Sequence, residues 1–139
     1  MFRVRDKIQN KWVEDGVYLC LDDGFSAVKK GAFGSKKILP VSDGRYVYHR
    51  DIGLLDCDKT LIYEGDIVRV EFEDDSIFNM LVTYISDIAS YVLLEFNKYE
   101  YFPININNCK HIKVIGNVFD NLDLLPPEAY KEQNDKVVE

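Results

Sequence analysis

The chain has 139 residues, 47% of them hydrophobic and 29% charged, with a formal net charge of −7. That length and apolar content suffice for one compact domain or two small intertwined ones, with no metal or disulfide needed to hold them. The surplus of acid argues against non-specific binding to a phosphate backbone, which needs surplus Lys and Arg.

Phe2 to Asp6 alternates apolar and charged residues and predicts a strand, and Lys11-Trp12-Val13 returns after the polar turn Gln9-Asn10. Val17 to Leu21 is an apolar run of strand length, closed by Asp22-Asp23-Gly24, a hairpin signal because both central positions favour positive φ. Phe25 to Lys30 fits a strand, whereas Gly31 to Ser35 has no period. Lys29, Lys30, Lys36 and Lys37 make this surface excursion the most basic part of the chain. After the turn Ser42-Asp43-Gly44, Arg45 to Arg50 predicts a strand with Tyr46 and Tyr48 on one face.

The stretch Ile52 to Arg69 holds two glycines around a polar turn and then Glu64-Gly65-Asp66, which opens an alternating strand. It is expected to join two β-rich halves. Asp66 to Glu73 sets Val68, Val70 and Phe72 on one face, and four further strands follow over 77–85, 91–96, 99–104 and 111–119, with Asn97-Lys98 a tight turn between the middle two. Gly116 is expected to mark a bulge or bend. Five short, closely spaced strands favour closure or packing against a second sheet. Asn121 to Leu125 suits one helical turn, and Pro126 to Glu132 a short helix with proline near its first turn.

The charge is unevenly divided. Residues 1–50 carry ten Lys/Arg against six Asp/Glu, a net of +4, while residues 51–139 carry seven against eighteen, a net of −11. Either both halves simply need solvated surfaces, or a basic half meets an acidic one within a chain or between copies. Cys20, Cys57 and Cys109 are odd in number and widely spaced, and read as reduced, buried, cytosolic thiols. No apolar run reaches membrane-spanning length, so no membrane partner is expected.

Three separated pieces resemble the YopX family of phage and prophage proteins. Phe2-Arg3-Val4-Arg5-Asp6 with Lys11-Trp12-Val13 is similar to the family's opening. Ile52 to Asp56 with Ile62-Tyr63-Glu64-Gly65-Asp66-Ile67-Val68 is similar to its central motif. Val114-Ile115-Gly116-Asn117-Val118-Phe119-Asp120-Asn121 with Leu124-Leu125 is similar to its last one. The chain departs at Ile52, where the family commonly has Thr, and at Cys57-Asp58-Lys59, where it prefers a Lys-Asn-Gly-like turn. The resemblance implies a phage or prophage origin, a host bacterial cytoplasm and an unknown molecular function, with no catalytic residue to carry over.

The motif's chemistry reads as structural: Gly53 and Gly65 supply backbone freedom, Asp56 and Asp58 suit a turn, and Tyr63, Glu64, Asp66, Gly116 and Asn117 complete the set. The two histidines, His49 and His111, have no ligand-like spacing to any cysteine, so neither metal nor cofactor is expected. Cys109 and His111 sit two apart on one strand and would share a face, yet an inert thiol is the simpler reading. No phosphate-cradling glycine loop is present, and an enzyme is not expected.

The expected fold is mainly β with little helix. It has an amino-terminal β-rich subdomain (1–50), a connecting motif (51–66), a five-stranded SH3-like barrel or sandwich (67–125) and a tail (126–139). The expected function is that of an accessory protein that binds or self-assembles, with a homo-oligomer or an unidentified host or phage protein as partner. One alternative is nucleic-acid binding through Lys36, Lys37, Arg45, Tyr46, Tyr48 and Arg50, where tyrosine beside arginine suits base stacking. Another is mimicry of a nucleic acid by Glu71, Glu73, Asp74 and Asp75, blocking a host protein.

Overall fold

A computed structural model describes residues 2–13, 17–20, 26–30, 36–39, 44–96, 100–104 and 109–126. The Asp22-Asp23-Gly24 hairpin turn, the Gly31–Ser35 stretch, the Asn97-Lys98 turn and the helix proposed over the tail lie outside these residues. The chain divides into two compact units, Met1–Arg50 and Asp51–Glu139.

In the first unit, β1 (Phe2–Asp6) pairs antiparallel with β2 (Lys11–Trp12) on one side and with the start of β6 (Tyr46–Leu55) on the other. Register sets Val4 against Tyr48 and Arg3 against His49. By strand alternation Phe2, Val4, Tyr46 and Tyr48 therefore share one face, and they form the unit's apolar cluster with Val13. A separate antiparallel sheet runs in the order β3 (Val17–Cys20), β4 (Ser26–Lys30), β5 (Lys36–Leu39). The basic excursion thus contains a strand, β5, that its sequence alone does not announce.

In the second unit, the rest of β6 pairs with the short β7 (Leu61–Tyr63). Gly53 does not interrupt this strand: it adopts φ +80 inside β6, and its N–H donates to the Asp51 carboxylate at 3.2 Å. Residues 51–66 lie within the second compact unit. Its main sheet comprises β8 (Asp66–Phe72), β9 (Ile77–Ile85), β10 (Ser90–Glu95), β11 (Glu100–Pro103) and β12 (Cys109–Asn117). The spatial order is β11-β10-β9-β8-β12, so the last strand returns beside the first, the connectivity expected of an SH3-like barrel, and the sheet curls into a half-barrel.

Both faces of this sheet are covered. Val68, Val70, Met80, Val82 and Leu93 pack with Ile62 of β7 on one face, joined by Ile52 and Leu54 of β6. Ile67, Leu81, Leu94 and Phe96 pack under the segment 118–125, whose Leu125 is buried and whose Leu122–Leu124 form a single 3-10 turn. A strand buried on both faces loses the polar/apolar alternation, which is why Ile67 and Val68 are both fully buried neighbours. The structure is mainly β throughout, as the sequence predicts.

Candidate functional site

The residues of the central and last sequence motifs converge in the second unit. Asp56 is 8% exposed and ties three backbone groups. Its Oδ1 accepts the N–H of Asp58 at 2.9 Å and of Thr60 at 2.8 Å, closing the turn between β6 and β7. Its Oδ2 accepts the N–H of Val114, in β12, at 2.9 Å. The neighbouring N–H of Cys57 donates to the Ile112 carbonyl at 2.9 Å, so the turn is fastened along the outer edge of β12, but the Cys57 thiol, expected to be buried, is exposed because it sits on that surface turn.

A second junction forms at Gly65. Its N–H donates to the Val82 carbonyl at 2.7 Å and its own carbonyl accepts the N–H of Val118 at 2.9 Å. Its φ of +83 is in the region where a side chain is strained, which is the reason for glycine here. Asp66, 1% exposed, accepts the Tyr63 N–H at 2.8 Å and so closes the β7–β8 turn across half-buried Glu64. Asn117 stands in register with Asp66 and accepts the N–H groups of Phe119 and Asp120, both at 3.0 Å.

Gly116 lies at a register shift between Val114 and Gly116, the bulge expected there. A Cβ on this residue would fall 2.6 Å from the Asn121 side chain. A second shift, between Cys109 and His111, breaks the alternation of β12. Cys109 consequently packs inward with Ile112 and Val114, while exposed His111 stands opposite Glu71. The shared face expected for Cys109 and His111 is not formed, because the extra residue, Lys110, shifts the pleat by one. Burial, then the nearby Glu73 charge, raises the Cys109 thiol above its ordinary pKa, away from thiolate reactivity. Among the described residues no three His, Cys, Asp or Glu side chains come together as a metal site.

The basic and aromatic residues of the sequence reading belong to the first unit and take different positions. Arg45 grips Asp6 with Nε at 3.2 Å and Nη2 at 3.0 Å, and its guanidinium lies 5.0 Å from the Tyr46 ring centre. Tyr46 is buried in the apolar cluster, Tyr48 is half-buried and tilted against Phe2, and Arg50 is exposed. The side chains of Lys36 and Lys37 lie outside the described residues, but the β4–β5 register sets Lys29 opposite Lys37 and Lys30 opposite Lys36.

One polar cluster escapes sequence reasoning. Arg5 is 1% exposed, with its guanidinium 5.2 Å from the Trp12 ring centre, and Arg3 stacks on the same ring at 4.1 Å. His49, 8% exposed, is tilted against Trp12 at 6.1 Å. Burial, with Arg3 adding to it, pushes His49 down to a pKa of about 4. The alternation of Phe2-Arg3-Val4-Arg5 suggests an outward cationic face; the aromatic return strand that covers it supplies the only hint of burial.

Clefts among the described residues of the second unit include the following pair. One, of about 170 Å³, is floored by Leu54, Ile62, Cys109 and Ile112, with Leu55 on its rim. The other, about 470 Å³ and more open, includes Arg69, Ile77, Phe78 and Glu95. No helix among the described residues is long and apolar enough to cross a membrane.

Comparison with known proteins places this arrangement. The fold is similar to the crystal structure of protein yopX from Bacillus subtilis, with a TM-score of 0.64 at 18% identity, covering 90% of this chain and 97% of that one. It is also similar to protein EF1440 from Enterococcus faecalis, with a TM-score of 0.59 at 23% identity and 90% and 96% coverage. No curated protein sequence matches significantly. The family model described as YopX protein matches residues 1–126, which include all three motifs, and the chain belongs to the YopX family.

Proposed function

We propose that the protein acts by binding rather than by catalysis, as a self-assembling accessory protein of a phage or prophage in the bacterial host cytoplasm. The observation that carries this reading is the division of charge between two compact units, net +4 over residues 1–50 and net −11 over residues 51–139. Opposite fields on two units of one chain steer head-to-tail encounters between copies. The motif residues support it from the other side: Asp56, Gly65, Asp66 and Asn117 hold turns and strands with the groups an enzyme would direct at a substrate. Light scattering after size exclusion tests the reading. Assembly at low salt that weakens as salt rises is expected, and a monomer at high concentration and low salt overturns it. A tagged pull-down from host lysate, with and without nuclease, shows whether a host or phage protein takes the place of a second copy.

A second reading, nucleic-acid binding by the first unit, is favoured by the β4–β5 register. Two lysine pairs stand directly opposite, an arrangement that disfavours a hairpin unless an anion offsets it. Substituting Arg50 and Lys37 should then abolish binding and flatten its salt dependence. Arg45 is the poorer test, because it holds Asp6.

A further inference from the structure

We propose that Ile8 is the anchor by which one copy docks on another, and that its seat is the cleft floored by Leu54, Ile62, Cys109 and Ile112 in the second unit. The proposal rests on the self-assembly reading and names its two surfaces.

The anchor is an apolar side chain held out on a fixed turn. Ile8 is 72% exposed in the turn joining β1 and β2. Asp6 Oδ1 accepts the N–H of Ile8 at 3.0 Å and of Gln9 at 3.1 Å, and Asp6 is itself gripped by Arg45. From the other side of the turn Arg5 Nη2 donates to the Asn10 carbonyl at 3.0 Å and to its side-chain oxygen at 2.8 Å. Asn10 holds φ +55, a conformation that such clamping stabilises. Two arginines and an aspartate thus fix a four-residue turn that presents one large apolar group. A β-branched residue on a rigid turn loses little freedom when it binds, the property of an interface anchor. Exposed Lys7 and Lys11 flank it with positive charge.

The seat matches in size, character and charge. Its volume of about 170 Å³ is roughly five to six times a water molecule's share of liquid volume, room for the four-carbon side chain of isoleucine. Its floor is apolar, and Leu55 on the rim is 56% exposed. Its wall is fixed, since Asp56 and Cys57 bond to Val114 and Ile112. Lys110, which lines the cleft with His111, is offset by its pairing with Asp75, as Lys113 is by Asp58, so the seat of this acidic unit does not oppose the lysine-flanked turn with an unpaired lysine. Anchor and seat are different surfaces, so the contact is heterologous and propagates into a ring or a chain of copies.

The test uses Ile8→Asp and Leu55→Asp in the full chain. Both positions are exposed, and circular dichroism checks that each variant folds. Light scattering is run at a concentration and salt where the native chain assembles. Each variant alone is expected to be monomeric, its self-association weakened at least tenfold. An equal mixture is expected to give a dimer that grows no further, because Ile8→Asp keeps the cleft and Leu55→Asp keeps the anchor. Native-like assembly by either variant, or a mixture that stays monomeric, overturns the proposal while leaving self-assembly standing. A native chain that stays monomeric at low salt removes both.

Discussion

Asp56 Oδ2 accepts the backbone N–H of Val114 at 2.9 Å, across 58 residues of sequence. The same carboxylate closes its own turn through Asp58 and Thr60, so one side chain joins a local motif to a distant strand. Burial opposes its ionisation, but the donors from Val114, Thr60 and Asp58, with Lys113 nearby, outweigh that and hold its pKa below the ordinary value. A carboxylate is required because it offers two acceptor oxygens on a short stem; asparagine brings one, and an amide group that faces a donor.

Asp56→Ala is therefore expected to cost about 2–4 kcal/mol, since it removes the acceptor of three part-buried backbone donors, two in the turn and one on β12. Urea denaturation should show a lower midpoint with an unchanged slope. Because the folded pKa is depressed, the contribution is complete above the ordinary aspartate value and fades as pH falls through the folded one. A midpoint within experimental error of the native chain's would show that the clamp contributes nothing.

Gly116→Ala should be destabilising for a steric reason. The added Cβ would lie 2.6 Å from Asn121 Cβ, Cγ and Oδ1, nearer than atoms approach without displacement. Asn121 has little room to give way, because its Oδ1 accepts the Asn117 N–H at 3.2 Å. A cost of about 1–3 kcal/mol is expected. In a double-mutant cycle with Asn121→Gly the two changes should be strongly non-additive; simple additivity would rule the contact out.

The regular strands of the second unit were legible because Val68, Val70, Met80 and Val82 obey the two-residue period that one buried face imposes. Other features were not. The place of Gly53 inside β6 was not legible, because its positive φ is held by the Asp51 carboxylate, which no pattern announces. The three residues of β7 are too few to show a period. Lys110 broke the alternation of β12, so counting by two misplaced Cys109 relative to His111. The burial of Arg5 was not legible either, because only the fold shows Trp12 and Asn10 closing over it. Within the candidate site, Asp56 and Asp58 were legible as a turn. The Val114 bond was not, because its partner lies on another strand.

Acid should weaken the fold through His49. Its folded pKa of about 4 is below the ordinary 6.5, so between those values the unfolded chain binds a proton that the fold refuses. Stability is then lost as pH falls from 6.5 toward 4, by roughly 3 kcal/mol for a shift of this size. The Asp6 carboxylate, held at about 2 chiefly by its hydrogen bond to Arg45, acts in a separate and lower window, between 3.8 and 2. Denaturation midpoints measured from pH 7 to 4 should therefore fall in the native chain and stay nearly level in His49→Leu. Parallel curves for the two would assign the acid response to other groups.

Lys37→Glu separates a structural hairpin from a binding surface. In the native register Lys37 stands opposite Lys29, and Glu in its place would convert opposed like charges into an opposite pair. Such an exchange on a sheet is expected to raise stability by about 0.2–1 kcal/mol. If β4–β5 serves a polyanionic partner, the same change should weaken binding to heparin or to a single-stranded oligonucleotide and reduce the salt slope by about one. Gain in stability with loss of binding would identify lysines retained for a partner, since folding alone favours the replacement. Gain in stability with undiminished binding would remove this hairpin from the nucleic-acid reading.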